Sequence, residues 1–309
     1  MSKCADSLRT PPHRIQAFAS LTFMGAVMTK SHWQPLTIVA AFLLGVCVGP
    51  SWLGAQDAAA PGNPQERNLD AILFVQTSAE YHACCLQAYQ VATDQLLARL
   101  KEQRHAKPAV VLDLDETIFD NTRFQTYLYR ERLPYSDAVW KSFERDQADE
   151  VSLLPVAKTF LQLFQREQVT IVLISNRSAN HLASAQSIFT RHGLDLAGTD
   201  WLLRTGGGDK TERRRLASSK YQVLLFLGDN LRDFDERFRV PRADEGSLED
   251  LTAFARVQAE RRQQVEADGP KWGREWIIFP NPIYGEWGKL VERRPGEKLR
   301  PSAMRRQER

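Results

Sequence analysis

The stretch that most constrains this chain runs from Ala109 to Asn121, AVVLDLDETIFDN. It opens on an apolar run, Ala109-Val110-Val111-Leu112, in which two of the four side chains are β-branched. That composition reads as a strand covered on both faces, which occurs in parallel sheets flanked by helices. Two carboxylates, Asp113 and Asp115, follow at once. In open α/β sheets ligands bind at the carboxyl ends of the strands. A turn starting at Asp113 would bring both carboxylates to one reacting centre, one as nucleophile and one as acid/base. Taken alone, the pair is also compatible with a solvated strand end.

The pattern repeats along the chain. Val169 to Ile174, Asp200 to Arg204, Val223 to Leu227 and Trp276 to Phe279 read as further strands. Helical spacing separates them. A long pattern covers Leu69 to Glu102, with Ser78 dividing it in two by capping the second helix. Pro155 to Arg166 carries an apolar stripe. Asn180 to His192 is closed by Gly193. Thr211 to Ser218 is basic, and Leu248 to Asp268 has Ser247 as its N-cap. Strands alternating with helices predict a doubly wound, Rossmann-like α/β core with a parallel sheet. The helices before the first strand, and those between the first two, then form a smaller helical cap.

The 309 residues are enough for such a core and cap. A net charge of +3 implies no nucleic-acid partner. Cys4 and Cys47 fall in or before an N-terminal leader, and the adjacent Cys84 and Cys85 read as buried helix cysteines, so neither a disulfide framework nor a zinc spacing is present. Leu36 to Gly49 is apolar apart from Thr37. It is short for a membrane span, which needs ~20 residues, and suits the apolar core of a signal peptide. Three outcomes fit: cleavage after Gly54-Ala55, a lipoprotein-like box at Leu44-Gly45-Val46-Cys47, or an uncleaved anchor over Leu36 to Ala55. Each makes the chain exported, to the periplasm or the outer membrane and cell surface. Met28 is an alternative start. The expected organisation is a leader over 1–55, a linker over 56–67 and one domain over 68–292, followed by a charged, disordered tail over 293–309. Within the domain the core takes about 106–121 and 155–292, and the cap about 68–105 and 122–154.

Three of the predicted buried strands end in polar residues: Asp113-Leu-Asp115, Ser175-Asn176-Arg177, and Gly228-Asp229-Asn-Leu-Arg-Asp233. A parallel sheet puts all three ends on one edge. Asp113 and Asp229 could share a hard cation such as Mg²⁺, which takes oxygen ligands and pairs with one or two carboxylates plus substrate phosphate. A serine hydroxyl and a lysine ammonium suit phosphoryl oxygens, and Lys210, after the Thr205-Gly-Gly-Gly-Asp209 loop, is the candidate cation. Its alternative is a solvated loop lysine.

DLDET, SNR, a downstream lysine and GDNLxDF resemble the four motifs of haloacid-dehalogenase-like (HAD) phosphatases. The chain is more closely similar to the bacterial class C acid phosphatases, the outer-membrane lipoprotein 5'-nucleotidases. Three further segments carry that likeness: Gln76-Thr-Ser-Ala-Glu-Tyr81, Arg261-Arg262 with Gly269-Pro-Lys-Trp-Gly273, and Pro280-Asn-Pro-Ile-Tyr-Gly-Glu-Trp287. The resemblance spans roughly residues 68–290. It implies that Asp113 attacks phosphorus to form an aspartyl-phosphate. Asp115 then serves as acid and base, and Ser175 and Lys210 hold the phosphoryl oxygens. It further implies Mg²⁺ on Asp113, the carbonyl of Asp115 and Asp229, with Asp233 orienting Lys210 or a metal-bound water. Asn176 is a substrate-binding candidate. Phe124, Trp140 and Tyr284 are candidates for an aromatic clamp on a nucleobase or aryl group, with core packing as the alternative for each. The implied substrates are nucleoside monophosphates and aryl phosphates, and a homodimer and membrane anchoring are family expectations. A non-catalytic binding or storage protein on the same scaffold is the opposing reading. Such a relative should lack the nucleophile or a metal ligand, and here Asp113, Asp115, Ser175, Lys210, Asp229 and Asp233 are all present.

Overall fold

A computed structural model describes residues 62–102, 106–241, 250–292 and 295–300. The leader, most of the linker, Ser247, Leu248 and the last nine residues lie outside the described residues.

Two helices come first, α1 (Leu69–Thr77) and α2 (Ala79–Glu102). Ser78 divides them as its sequence position predicts: its hydroxyl accepts the Tyr81 N–H at 3.0 Å, satisfying an otherwise orphaned donor of α2's first turn. Strand β1 (Pro108–Leu112) leads into the acidic turn. Next come β2 (Phe119–Asp120), α3 (Thr122–Arg130), α4 (Asp137–Asp146) and β3 (Ser152–Leu153), with β2 and β3 paired antiparallel. The core resumes with α5 (Ala157–Glu167), β4 (Thr170–Ser178), α6 (Leu182–Arg191), β5 (Asp200–Arg204), α7 (Thr211–Lys220) and β6 (Gln222–Gly228). It ends with the short α8 (Leu231–Phe234), α9 (Leu251–Ala267), β7 (Trp276–Ile278) and α10 (Glu286–Leu290).

Strands β5, β4, β1, β6 and β7 pair in that order, all parallel, which makes the molecule a doubly wound α/β structure. Strand alternation covers both faces of β1. Val110 and Leu112 join a large core with Tyr89, Leu96, Phe160, Phe164 and Phe189, while Ala109 and Val111 pack with Val172, Ile174 and Ala217 of α7 on the other face. The order puts β1 between β4 and β6, so the three polar strand ends lie side by side on one edge.

Several boundaries differ from the sequence reading. Helix α2 packs on β6, β7 and α5, with the Tyr89 ring 4.7 Å from that of Phe279 and 5.0 Å from that of Phe160. The α2 half of residues 68–105 is therefore a layer of the sheet core and not of the cap, whereas α1 packs on α3. The cap also contains the antiparallel β2–β3 pair, whose strands are too short for a periodic signal. Strand β4 runs on through Ser175, Asn176 and Arg177 rather than ending at Ile174, with an irregular register against β5 between Ser175 and Ser178. Helix α9 is capped by Asp250, whose carboxylate accepts the Thr252 and Ala253 N–H groups, and not by Ser247. Cys85 is buried as expected, but Cys84 is exposed. The linker is built into the domain from residue 63: Asn63 donates to the Tyr129 carbonyl and Gln65 to that of Leu133. Within the expected tail, Pro295–Lys298 forms a helical turn, and residues 293–294 and 301–309 lie outside the described residues. Among the described residues no helix is long and apolar enough to cross a membrane.

Replacing Ser78 by Ala removes the cap of α2 while leaving its buried face intact. It should lower the unfolding free energy by about 1 kcal/mol in urea titrations, and Ser78→Asp should restore most of that loss.

Candidate active site

The chain after β1 does not stay extended. Leu114 O accepts the N–H groups of Ile118 and Phe119 at 2.8 Å each, and the Glu116 N–H returns to Phe119 O at 2.8 Å. Glu116 takes a left-handed φ of 55° in this turn. The turn seats both Asp113 and Asp115 on the wall of one cavity of about 960 Å³. Asn176, Lys210, Asp229, Asp233, Trp140 and Tyr284 line the same cavity.

At its floor Lys210 is buried, and its ammonium donates to Asp113 Oδ1 and Asp233 Oδ1, each at 2.7 Å. Carboxylate oxygens of Asp113, Asp229 and Asp233 all lie within 4.8 Å of one another. Burial pushes the Asp113 carboxyl up to about 7 against the pull of the Lys210 ammonium, and the carboxylates of Asp233 and Asp115 add to the rise. Burial, and then Asp233 and Asp113, push Asp229 well above the usual carboxylate range. Burial alone would push Lys210 down, but Asp113 and Asp233 outweigh it and hold the ammonium well above its ordinary value. Three carboxylates against one ammonium leave the floor short of positive charge. The donors are all oxygens, so the residues fit a hard divalent cation.

The supports around this floor are mostly residues to which sequence reasoning gave no role. Asn281, in the Pro280–Trp287 segment, donates to Asp229 Oδ2 at 2.8 Å. Glu236 accepts the backbone N–H of Lys210 at 2.8 Å and is itself held by Arg232 Nε at 2.7 Å. Asp233 uses its second oxygen to accept the Asn230 N–H at 2.9 Å, closing a capping box on α8. Asp233 thus has both oxygens engaged, one by the Lys210 ammonium and one by the Asn230 N–H, with oxygens of Asp113 and Asp229 beside it. Gly228 allows this approach: a Cβ there would stand 2.5 Å from Asp233 Cβ and Oδ2.

The irregularity in β4 re-aims the next strand end. Ser175 is fully buried, and its hydroxyl accepts the Arg177 N–H at 3.2 Å. Asn176 lines the cavity, but its amide is committed to the Lys210 loop: Nδ2 donates to Gly208 O at 3.1 Å and Oδ1 accepts from Arg213 at 2.7 Å. Arg213 also reaches the Ser175 carbonyl at 2.5 Å. The arrangement makes Asn176 a clamp on residues 205–210 rather than a free substrate donor. Arg177 donates to Asp115 Oδ1 at 2.8 Å.

Of the aromatic candidates, Trp140 and Tyr284 line the cavity and Phe124 does not. Phe124 is 1% exposed and packs on Trp140 and Phe143 at ring separations of 5.1 and 4.8 Å. It was expected at the substrate from its place three residues after Asn121. The helical turn of α3 carries it instead into the core, where it backs Trp140. Tyr135, not singled out in the sequence, lines the cavity.

A parallel sheet with this set of acidic and basic groups at its carboxyl edge, under a small cap, defines a HAD-like phosphatase. The profile of the HAD superfamily, subfamily IIIB (Acid phosphatase), matches residues 55–287, and the chain belongs to that family. It is similar to the class C acid phosphatase of Bacillus anthracis in two solved structures. One matches at 31% identity and TM-score 0.64, covering 77% of this chain and 95% of the other. The second, with tungstate bound, matches at 32% identity and TM-score 0.62, covering 73% and 88%. The chain is thus a phosphoric monoester hydrolase with phosphomonoester substrates.

Two substitutions test the floor. Gly228→Ala should leave the far-UV circular dichroism unchanged, cost ~1–3 kcal/mol of stability through overpacking, and lower phosphatase turnover by displacing Asp233. Asn281→Ala should raise the half-saturating divalent-metal concentration for activity roughly 10–100-fold.

Proposed function

We propose that this chain is an exported, Mg²⁺-dependent acid phosphatase that acts through an aspartyl-phosphate and takes nucleoside 5'-monophosphates. The observation that carries the reading is the floor itself: Asp113 held by Lys210 at 2.7 Å, within reach of Asp229 and Asp233, at the base of a cavity walled by Asp115, Trp140 and Tyr284. In this reading an Asp113 oxygen attacks phosphorus and the ester P–O bond breaks. Asp115, entering as the carboxylic acid, gives its proton to the departing alkoxide. Now a carboxylate, Asp115 takes a proton from water, the resulting hydroxide attacks phosphorus, and the aspartyl P–O bond breaks to release inorganic phosphate. Lys210 holds the phosphoryl oxygens and Asp233 keeps its ammonium in place, while Ser175, fully buried beside the cavity, keeps the phosphoryl role that the resemblance implies. Mg²⁺, held by Asp113, Asp229 and the Asp115 carbonyl, would offset the repulsion between an anionic nucleophile and a phosphate dianion.

The cavity supports the substrate class. A volume of about 960 Å³ accommodates a nucleotide-sized ligand. Trp140 and Tyr284 offer aromatic faces that accept a base without selecting one strongly. One of the Bacillus anthracis relatives binds tungstate, an oxyanion of the same class as phosphate. Export rests on the apolar Leu36 to Gly49 segment. The non-catalytic alternative is disfavoured because every residue it should lack is present at the site.

Phosphate release from an aryl phosphate and from matched 5'- and 3'-nucleoside monophosphates tests the proposal, with Mg²⁺ and with EDTA. Asp113→Asn should abolish release, and EDTA should suppress it. Tyr284→Ala should raise KM several-fold for 5'-nucleotides and for the aryl phosphate, and spare a small alkyl phosphate that has no ring to stack. Equal rates on 5'- and 3'-nucleotides would remove the nucleotide part of the proposal and leave the chemistry.

A further inference from the structure

We infer that Arg177 is a positioning residue for Asp115, fixing which carboxyl oxygen presents its proton to the leaving group. The inference rests on Asp115 being the acid in the reaction proposed above.

Arg177 is the third residue of the Ser175-Asn176-Arg177 strand end and is only 2% exposed. It does not line the cavity, whereas Asp115, Asn176 and Trp140 do. Its Nε donates to Asp115 Oδ1 at 2.8 Å, and its Nη2 donates to Asn121 Oδ1 at 2.9 Å. Asn121 in turn donates through Nδ2 to the same Asp115 Oδ1 at 2.9 Å. Asn121 is fixed from its other side by Glu116, whose Oε1 accepts both the Asn121 backbone N–H at 3.1 Å and its Nδ2 at 3.2 Å. The guanidinium plane lies against two rings, Phe119 at 5.0 Å and Trp140 at 5.3 Å.

Two N–H donors therefore converge on Asp115 Oδ1. Both groups donate, so Oδ1 is taken up as their acceptor and Oδ2 is left free of them. With Oδ1 pinned from two directions, Oδ2 is the oxygen presented to the leaving group. A buried arginine needs acceptors for its N–H groups, and Asp115 Oδ1 and Asn121 Oδ1 supply them. Arginine suits the place because its planar fork reaches Asp115 and Asn121 together, which a lysine ammonium would not do.

The role predicts dependence on the leaving group. A ribose 5'-alkoxide must be protonated as it departs, whereas p-nitrophenolate leaves without help. General-acid assistance contributes roughly 100-fold or more where it is needed. kcat/KM for both substrates reports the steps up to cleavage of the ester bond. Arg177→Met should then lose ~100-fold in kcat/KM on adenosine 5'-monophosphate and under tenfold on p-nitrophenyl phosphate, with Asn121→Ala showing a smaller loss of the same pattern. Equal losses on the two substrates would overturn the inference, because a phosphate-binding or purely structural role affects both alike. If Arg177→Met fails to fold by circular dichroism, Asn121→Ala decides between the same outcomes. Asp115→Asn separates this inference from the reading beneath it. If that variant loses equally on both substrates, Asp115 is not the leaving-group acid. If it shows the leaving-group pattern and the Arg177 and Asn121 variants do not, only the role of Arg177 falls.

Discussion

The buried ion cluster of Lys210 with Asp113 and Asp233 is the interaction on which the rest of this site depends. Taking one ammonium and three carboxylates out of water costs several kcal/mol per ion. The fold recovers this through short bonds, 2.7 Å from Lys210 to each of two partners. Other groups fix its members: the Asn230 N–H holds Asp233, Asn281 holds Asp229, and Glu236 holds the Lys210 backbone. An arrangement held from so many sides has little freedom to relax. That rigidity suits a group whose charge must meet phosphoryl oxygens without first reorganising. The surplus of negative charge that remains is what a divalent cation would balance.

The sheet order supplies the geometry. Strand β1 lies between β4 and β6, so carboxylates, serine and the arginine-bearing strand end meet without long loops. The irregular register in β4 turns Asn176 toward the Lys210 loop and Arg177 toward Asp115. The cap contributes at the same point. Trp140 on α4 faces the cavity and also lies over the Arg177 guanidinium, so one ring belongs both to the substrate wall and to the support of the acid. Phe124 and Phe143 pack behind it, which explains why the α3–α4 stretch is rich in aromatics although few of them reach the cavity.

Much of this was legible in the linear chain because the signals are local. A β-branched apolar run followed by an acidic pair marks a strand end whatever surrounds it, and three such ends with polar residues identify one working edge. Ser78 as a cap and Gly193 after α6 were readable because helix ends are governed by their nearest few residues. Lys210 was legible only through the motif set. By position it sits after a glycine-rich loop, where a lysine is ordinarily solvated, and it is buried because β1 and α8 bring Asp113 and Asp233 to it. Phe124 was misread for a related reason: a side chain's direction on a short helix is set by what packs against it. Arg213, Glu236 and Asn281 had no periodicity or spacing to announce them, since each acts on a partner distant in sequence.

The sequence by itself determined the class of fold, the edge where chemistry happens, and the acidic, serine and lysine groups at that edge, because strand pattern and motif spacing are short-range properties of the chain. The tertiary structure alone decided that α2 belongs to the core, that Asn176 clamps a loop, that Phe124 is buried behind Trp140, and that Arg177 and Asn121 converge on one oxygen of Asp115. These depend on contacts between residues far apart in the chain, such as Arg177 with Asp115, 62 positions away, or Tyr89 with Phe279. Such pairings are selected by the packing of whole elements, which no local pattern encodes.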